Sequence, residues 1–358
     1  MPVPVEVLCA YGLDAEESAL AARHVPSLIN LTYVIEGALT RGREPLVLQR
    51  MHPVFGAHVH YDIEAVTAHL EARKLTTPRL LRTRSGALWT TEGAGAEARV
   101  WRALSYVDGV TVHQSRDLAW LESAAGLLGR FHAALADLDY QFVHERPLHD
   151  TSRHLKNLSA VLASERALSD MDAQELGSEI LRQAEGVRLD FSSLPRRTIH
   201  GDPKLSNVMF ERERPGRAKC MIDLDTLGRG YLAYELGDAL RSWCNPAGED
   251  TRASCVDPSA FAAVLQGYLS ACPDEVTETE LLSAIDGVET VSLELASRFA
   301  ADVVVDQYFG WDSTRFGSRR QHNLLRAQGQ LALSRNVREG RGKLCEIAEL
   351  ALGARGRG

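Results

Sequence analysis

The sequence has no cysteine pair at metal-ligand or redox spacing. Its six cysteines, Cys9, Cys220, Cys244, Cys255, Cys272 and Cys345, are scattered over 358 residues and form no CxxC. In a chain this long they read as reduced, mostly buried thiols, which argues against both a zinc site and a disulfide framework. No stretch approaches the ~20 consecutive apolar residues of a membrane helix. The opening MPVPVEVLCAYGLDAEE lacks the basic segment and apolar core of an export signal. Surplus basic charge is also missing: 40 Lys+Arg against 48 Asp+Glu leave a formal charge of -8, so nothing draws the whole chain to phosphate backbones or anionic lipid. These absences point to a cytoplasmic protein with no membrane and no nucleic acid as partner. There is no internal repeat and no long low-complexity stretch. What is present, 45% hydrophobic and 25% charged residues, is ordinary globular usage and enough for two domains or one two-lobed body.

The pattern changes character once along the chain. DAEESALAARH (14–24) has an acidic start and apolar spacing that predict a short helix. SLINLTYVIEG and PLVLQRM, separated by the polar TRGRE, read as two strands of a hairpin. Residues 62–74 return to helical period. RLLRTRSGALWTTEG and EARVWRALSYVDG give two or three further strands broken by SG and EGAG. Beyond Gly109, LAWLESAAGLLGRFHAALADL (118–138) is strongly amphipathic. Residues 150–188 carry one or two more helices. Two short strand-loop segments follow, and a helical region runs from YELGDALRSWC to about residue 350 before a fraying tail. The reading is an α+β protein: a β-rich N-terminal lobe over 1–105 and a mainly helical C-terminal lobe over 106–358.

The chemistry concentrates in two loops. In His200-Gly201-Asp202-Pro203-Lys204-Leu205-Ser206-Asn207, a carboxylate and a carboxamide stand five residues apart between apolar segments. Sixteen residues after Asn207, the apolar Met221-Ile222 delivers Asp223 and Asp225, which share a face if the strand continues. Phosphoryl transfer asks for such a set: one carboxylate to orient or deprotonate an acceptor hydroxyl, and oxygen donors to hold Mg²⁺ against nucleotide phosphates. Asn207 and Asp223 offer hard oxygens of the kind Mg²⁺ prefers, and no soft ligand accompanies them. The reading is Asp202 as catalytic base, Asn207 and Asp223 as metal ligands, and His200 as a brace for the loop. HxD and DxD also arise by chance, with Asp and Asn as turn or cap residues. It is their joint occurrence and order that favours chemistry.

HGDxxxxN followed by IDxD resembles the aminoglycoside phosphotransferase and choline kinase family. Six stretches resemble the N-acetylhexosamine 1-kinases within it: LINLTY (28–33), LVLQR (46–50), MIDLDT (221–226), GDALR (237–241), Arg298-Phe299 with Asp302, and HNL (322–324). The resemblance covers about residues 25–340. It implies a protein-kinase-like two-lobed fold and an ATP- and Mg²⁺-dependent kinase acting on a small-molecule hydroxyl. The acceptor it implies is a sugar, the anomeric 1-hydroxyl of an N-acetylhexosamine. An aminoglycoside, choline, homoserine or another amino alcohol is the alternative acceptor. A decayed, non-catalytic nucleotide binder is the remaining reading, against which the intact Asp202, Asn207 and Asp223 speak.

The same resemblance suggests roles elsewhere. Ser27, Asn30 and Thr32, in a loop without a GxGxxG pattern, would face phosphate oxygens. Arg50 would replace the strand lysine of protein kinases, unless the register turns Gln49 that way instead. Its helix partner would be Asp62 or Glu64. The backbone of Tyr106 and Val107 would meet adenine. Lys204 would steady the transferring phosphate as part of the catalytic loop. Asp225 would bind a second metal or a substrate hydroxyl, and Asp238 with Arg241 would brace a helix. Glu294, Arg298, Asp302 and Asp306 form a polar stripe at four-residue spacing, ordinarily a solvent face. Here Arg298 and Asp302 are candidates to grip the acceptor.

Overall fold

The computed structural model describes residues 3–13, 22–25, 30–36, 44–143 and 149–355. The chain divides into two compact units. One contains Met1–Gly109 with Asp137–Glu145 and Ile222–Leu227, and the other contains Val110–Ala136, Arg146–Met221 and Gly228–Gly358.

In the first unit, β1 (Ala22–Val25), β2 (Leu31–Ile35), β3 (Leu46–Arg50) and β6 (Arg99–Ser105) pair antiparallel in that order. The short β4 (Leu80–Leu81) and β5 (Thr90–Glu92) both pair with β6. The period-2 alternation of these strands sorts their side chains by face. Tyr33, Ile35, Leu46, Leu48, Trp101 and Ala103 point to one side, where the short helix α1 (Val5–Ala10) covers them with Val7 and Leu8. The helix expected over 14–24 is not what forms at its end: Ala22–Val25 is a strand, because pairing with Val34, Tyr33 and their neighbours outweighs the weak local preference. Residues 14–21 lie outside the described residues. Helix α2 (Val59–Ala72) begins three residues earlier than the pattern suggested and buries Ile63, Val66 and Leu70.

The second unit is mainly helical. Asp117, Asp150 and Asp170 accept backbone N–H bonds at the starts of α3 (Leu118–Leu135), α4 (Thr151–Leu162) and α6 (Met171–Gln183), with α5 (Glu165–Leu168) as a single turn between the last two. Two antiparallel hairpin-like pairs interrupt the helices. β7 (Arg196–Ile199) pairs with β10 (Gly228–Tyr231), and β8 (Val208–Phe210) pairs with β9 (Ala218–Met221). After them come α7 (Leu232–Trp243), α8 (Pro258–Leu269), α9 (Glu278–Val305) and α10 (Arg319–Arg355). The helix α9 starts with a full capping box of Thr277 and Glu280. It is buried along most of its length, and its Leu293, Ala296, Phe299 and Ala300 pack with Leu155, Leu158 and Leu331.

All six cysteines are free. Cys220, Cys244 and Cys272 are buried but Cys9 is exposed, so the thiols are less uniformly interior than composition suggested. Among the described residues no helix is long and apolar enough to cross a membrane.

Candidate active site

The Asp202 loop lies in the second unit, between β7 and β8. Gly201 sits at a φ of 82°, the left-handed region where a side chain would be strained, and this turns the chain sharply after Ile199 and His200. The Asp202 N–H donates to His200 Nδ1 at 3.3 Å, so the fully buried ring holds the loop with its Nδ1 as acceptor. Asp202 Oδ2 accepts from Lys204 Nζ at 2.6 Å and from Asn207 Nδ2 at 3.1 Å. Asn207 Nδ2 also donates to the Asp202 carbonyl at 2.9 Å. The amide nitrogen is thereby committed, and Oδ1 is the atom Asn207 has left to offer. Among the described residues nothing donates to Asp202 Oδ1. A carboxylate with one oxygen pinned by a cation and an amide, and the other open, can orient a hydroxyl or take its proton.

One residue the sequence reading passed over supports this loop. Glu235, in the first turn of α7, is fully buried and accepts both the His200 N–H and the Gly201 N–H at 2.9 Å. Its Oε1 also meets His132 Nε2 at 3.1 Å, and His132 Nδ1 meets the Tyr268 hydroxyl at 2.9 Å. Burial alone would raise the Glu235 pKa, but the His132 hydrogen bond and charge and the loop N–H groups outweigh it and hold it below the ordinary carboxylate value.

The Asp223 segment belongs to the first unit. Asp223 is one of few non-glycine residues with positive φ, at 62°, and it leads into a 3-10 turn, Leu224–Thr226. Aspartate tolerates this left-handed geometry better than most residues, and strain of this kind concentrates at functional positions. The β8–β9 register pairs Val208 with Met221. Asn207 immediately precedes β8.

Asp225 does not present an open carboxylate. Arg102 on β6 clasps it with both terminal nitrogens, Nη1 to Oδ1 and Nη2 to Oδ2, the latter at 3.0 Å, and Asn30 Nδ2 donates to Oδ2 at 2.7 Å. Arg102 Nε donates to Gln49 Oε1 at 2.9 Å, and Gln49 Nε2 to the Thr32 hydroxyl at 3.1 Å. Asn30 Oδ1 in turn accepts the His52 N–H at 2.9 Å. Burial would raise the Asp225 pKa, but the Arg102 guanidinium and Asn30 hold it below the ordinary value. Thus Asn30 and Thr32 join Asp225 in one buried network, and the use of Asp225 for a second metal or a substrate hydroxyl would have to break it.

The question of register on β3 is answered by alternation. Gln49 shares a face with Thr32 and Arg102, whereas Arg50 lies opposite Leu31 and Trp101 on the face of Leu46 and Leu48. Neither candidate partner reaches Arg50. Buried Asp62 accepts the Tyr140 hydroxyl and the Val143 N–H, at 2.9 and 2.8 Å, and Glu64 pairs with Arg79 and Arg82. The interior strand cation is Arg102. Tyr106 and Val107 follow β6 in irregular, half-buried chain. Ser27 lies outside the described residues.

The polar stripe of α9 is only partly a solvent face: Glu294 and Asp302 are buried, Arg298 is half-buried and Asp306 is exposed. Glu294 is buried and accepts from Thr151 Oγ1 at 2.8 Å and pairs with His149 Nδ1 at 3.2 Å. Burial opposes charge on both, yet pairing prevails, holding Glu294 down at about 2 and His149 above its ordinary value. Asp302 accepts the N–H groups of Gln307, Tyr308 and Phe309, each at 2.9 Å, and Asn323 Nδ2 at 2.9 Å. It anchors the turn after α9 and has no open acceptor for a ligand. Arg298 instead lies over the rings of Tyr308 and Phe309, at 5.7 and 5.5 Å. Asp238 and Arg241 pair at 2.8 Å, as bracing within α7. Among the described residues no group of three or more His, Cys, Asp or Glu is placed to hold a metal. A cavity of about 490 Å³ in the second unit, lined by Arg116, Leu121, Trp243 and Asp257 among others, includes no residue of the Asp202 loop.

The β-sheet unit, the helical unit and the HGDxxxxN loop are those of a protein-kinase-like fold. The chain belongs to the APH phosphotransferase enzyme family, whose model matches residues 23–278. Among solved structures it is similar to an amicoumacin kinase, hAmiN, in complex with AMP-PNP, Ca²⁺ and Ami, at 13% identity and a TM-score of 0.62 over 91% of each chain. A microcompartment-associated aminopropanol kinase is similar at 16% identity and a TM-score of 0.62, over 94% of this chain and 97% of that one. A curated relative, the homoserine kinase of Gluconobacter oxydans (strain 621H), is 33% identical over 93 residues, 26% of this chain, so the match spans about a quarter, 27%, of that relative's length.

Proposed function

We propose that the protein transfers the γ-phosphate of ATP, with Mg²⁺, to the hydroxyl of a small molecule. The observation that carries this reading is the Asp202 carboxylate, with Oδ2 fixed by Lys204 and Asn207 and Oδ1 open. Asp202 orients the acceptor hydroxyl through Oδ1 and takes up its proton as the new O–P bond forms and the bond from the γ-phosphorus to the bridging oxygen breaks, releasing ADP. Lys204 holds the carboxylate in place, and its ammonium would meet negative charge on the transferring group. The donor set suits a hard divalent ion: Asn207 has its amide oxygen left, and Asp223 supplies a carboxylate at a strained turn. Such an ion, when bound, neutralises nucleotide phosphate charge. Thr32 and the backbone around Tyr106 and Val107 are read as nucleotide contacts. So is Arg50, although its face of the sheet is that of α1, which weakens that assignment.

The stretches LINLTY, LVLQR and MIDLDT support the anomeric 1-hydroxyl of an N-acetylhexosamine as acceptor. A second reading, an amino alcohol such as a homoserine-like molecule, is favoured by the named relatives and by Asp302, which is committed to its own turn and cannot pair with Arg298 around a sugar. The deciding experiment is one Mg·ATP screen with N-acetylglucosamine, N-acetylgalactosamine, homoserine, aminopropanol, choline and an aminoglycoside. Turnover of an N-acetylhexosamine alone supports the first acceptor, and turnover of amino alcohols alone supports the second. No turnover of any acceptor, with no nucleotide binding, removes the kinase reading.

A further inference from the structure

Three helices of the second unit come together twice. Near one end, α3, α7 and α8 supply His132, Glu235 and Tyr268, the hydrogen-bonded chain that holds the His200 and Gly201 N–H groups ahead of Asp202. At the other end the same helices wall the cavity of about 490 Å³: α3 with Leu118 and Leu121, α7 with Trp243, and α8 with its capping residue Asp257. From Glu235 to Trp243 along α7, and from Leu121 to His132 along α3, the two ends stand roughly 12 and 17 Å apart at 1.5 Å per residue. The volume falls within the roughly 300–1,000 Å³ of small-molecule sites. Two charges of opposite sign line the cavity. Exposed Arg116 makes one long hydrogen bond, 3.5 Å to the Pro246 carbonyl, and pairs with no carboxylate among the described residues. Asp257 caps α8 through Oδ1, which accepts the Ser259 and Ala260 N–H groups at 2.8 Å each, while its Oδ2 accepts from nothing among the described residues. The wall between them is apolar, and Leu118 is left 42% exposed. The Trp243 indole N–H is buried and finds no acceptor among the described residues, an arrangement that is costly for a wall with no guest.

We infer that this cavity is an effector site for an α-amino acid with an apolar side chain. The carboxylate meets Arg116, the ammonium meets Asp257 Oδ2, and the side chain covers Leu118, Leu121 and Trp243. Unlike charges that line one apolar cavity without pairing call for a ligand that brings both complements. An inorganic ion matches one charge and leaves the wall uncovered, and an apolar acid or amine leaves one charge unmatched. An occupant fixes the three helices relative to one another at this end, and the His132–Glu235–Tyr268 chain at the far end carries the change to the Asp202 loop. The cavity includes no residue of that loop, so it fills without nucleotide or acceptor. The coupling is reciprocal: whatever factor the amino acid adds to ligand affinity at the Asp202 loop, that ligand adds to amino-acid affinity.

The test is calorimetric titration of the full chain, without nucleotide or acceptor, with L-leucine and L-phenylalanine. The comparison ligands are 4-methylpentanoate, which lacks the ammonium, and 3-methylbutylamine, which lacks the carboxylate. The amino acids are expected to bind the parent, and each comparison ligand at least about tenfold more weakly than leucine, the usual worth of one charged hydrogen bond. Arg116→Gln and Asp257→Asn should each weaken leucine binding by a similar factor. Asparagine caps a helix about as well as aspartate, so Asp257→Asn keeps the start of α8; Arg116→Gln, at an exposed position, decides the matter if that variant fails to fold. Hydrogen exchange across His200–Asn207 should slow when leucine is added to the parent, and stay unchanged in Arg116→Gln at the same concentration. No binding of either amino acid would overturn the site. Leucine bound equally by the parent and both variants would lie elsewhere, and 4-methylpentanoate matching leucine would make the ligand a plain carboxylate; either result overturns the inference. Unchanged exchange with leucine bound would overturn the effector role. None of these measurements uses turnover, so a failure here is separate from a failure of the acceptor screen.

Discussion

Replacing Glu235 with glutamine is expected to damage the protein far more than an isosteric change of one atom suggests. The carboxylate meets three donors: Oε1 accepts the His200 N–H and His132 Nε2, and Oε2 accepts the Gly201 N–H. A glutamine can present one carbonyl oxygen. If that oxygen takes the Oε1 place, the new NH₂ faces the Gly201 N–H, donor against donor, in a fully buried site. One buried donor left without a partner costs about 1–3 kcal/mol, and the two remaining bonds lose their charge assistance. The expected loss is about 3 kcal/mol, a large part of the stability of an ordinary domain. With alanine, all three donors are orphaned and no stable fold is expected. Urea titration of parent and Glu235→Gln at neutral pH measures the loss, and hydrogen exchange at His200 and Gly201 locates it. Because Asp202 follows directly, turnover should fall by more than the folded fraction explains. A Glu235→Gln protein within about 0.5 kcal/mol of the parent, with unchanged exchange and turnover, would refute this picture of the loop.

Asp202→Asn should fold like the parent and lose about 10²–10⁴ in turnover, the usual worth of general-base help; steady-state rates against whichever acceptor the screen finds will check it. Gly287→Ala should cost about 3 kcal/mol or more, because a Cβ there would stand 1.7 Å from the Ala233 carbonyl oxygen, where α7 and α9 cross backbone to backbone; a melting curve matching the parent's would contradict that crossing. Burial, reinforced by Arg102, pushes the His60 imidazole down to about 4 from 6.5. Its contribution is therefore complete above pH 6.5 and drains as pH falls towards 4, where only the unfolded chain takes up the proton. The span is worth about 3 kcal/mol at 1.36 kcal/mol per pH interval. A His60→Leu variant should lose less stability than the parent between pH 7 and pH 4.5, and identical pH profiles would rule out His60 as a source.

Much of this architecture was legible in the sequence because it is local. Periodicity marked the strands of the sheet and the long helices, and HGDxxxxN drew attention to the loop where Asp202, Lys204 and Asn207 do meet. What was hidden depends on partners distant in the chain. Arg102 reads as one of two arginines in an otherwise largely apolar strand, RVWRALS, and only the fold brings Asp225 to it across 123 positions. Glu235 likewise sits in an unremarkable YELGDAL, and its hydrogen bonds reach back 34 and 35 residues. In both cases the available signal was a charge set among apolar residues. The stripe on α9 misled for the converse reason: four-residue spacing identifies a face but not what covers it, and here Thr151, His149 and Asn323 do. At Ala22–Val25 local preference lost to strand pairing.

The left-handed backbone at Asp223 limits which sequences can occupy that position. Glycine and asparagine adopt a φ of 62° about as readily as aspartate does, whereas β-branched or bulky residues resist it. On the metal-ligand assignment proposed for Asp223, a copy of this gene released from selection for catalysis would find two substitutions open at 223 that keep the turn and discard the carboxylate. Inactive descendants can persist as well-folded proteins, and their mark would be Asn or Gly at this site with the Arg102–Asp225 pair retained. The same reasoning tells an experimenter which substitution to make: Asp223→Asn isolates the charge, whereas Asp223→Ala adds a backbone penalty to whatever the missing carboxylate costs.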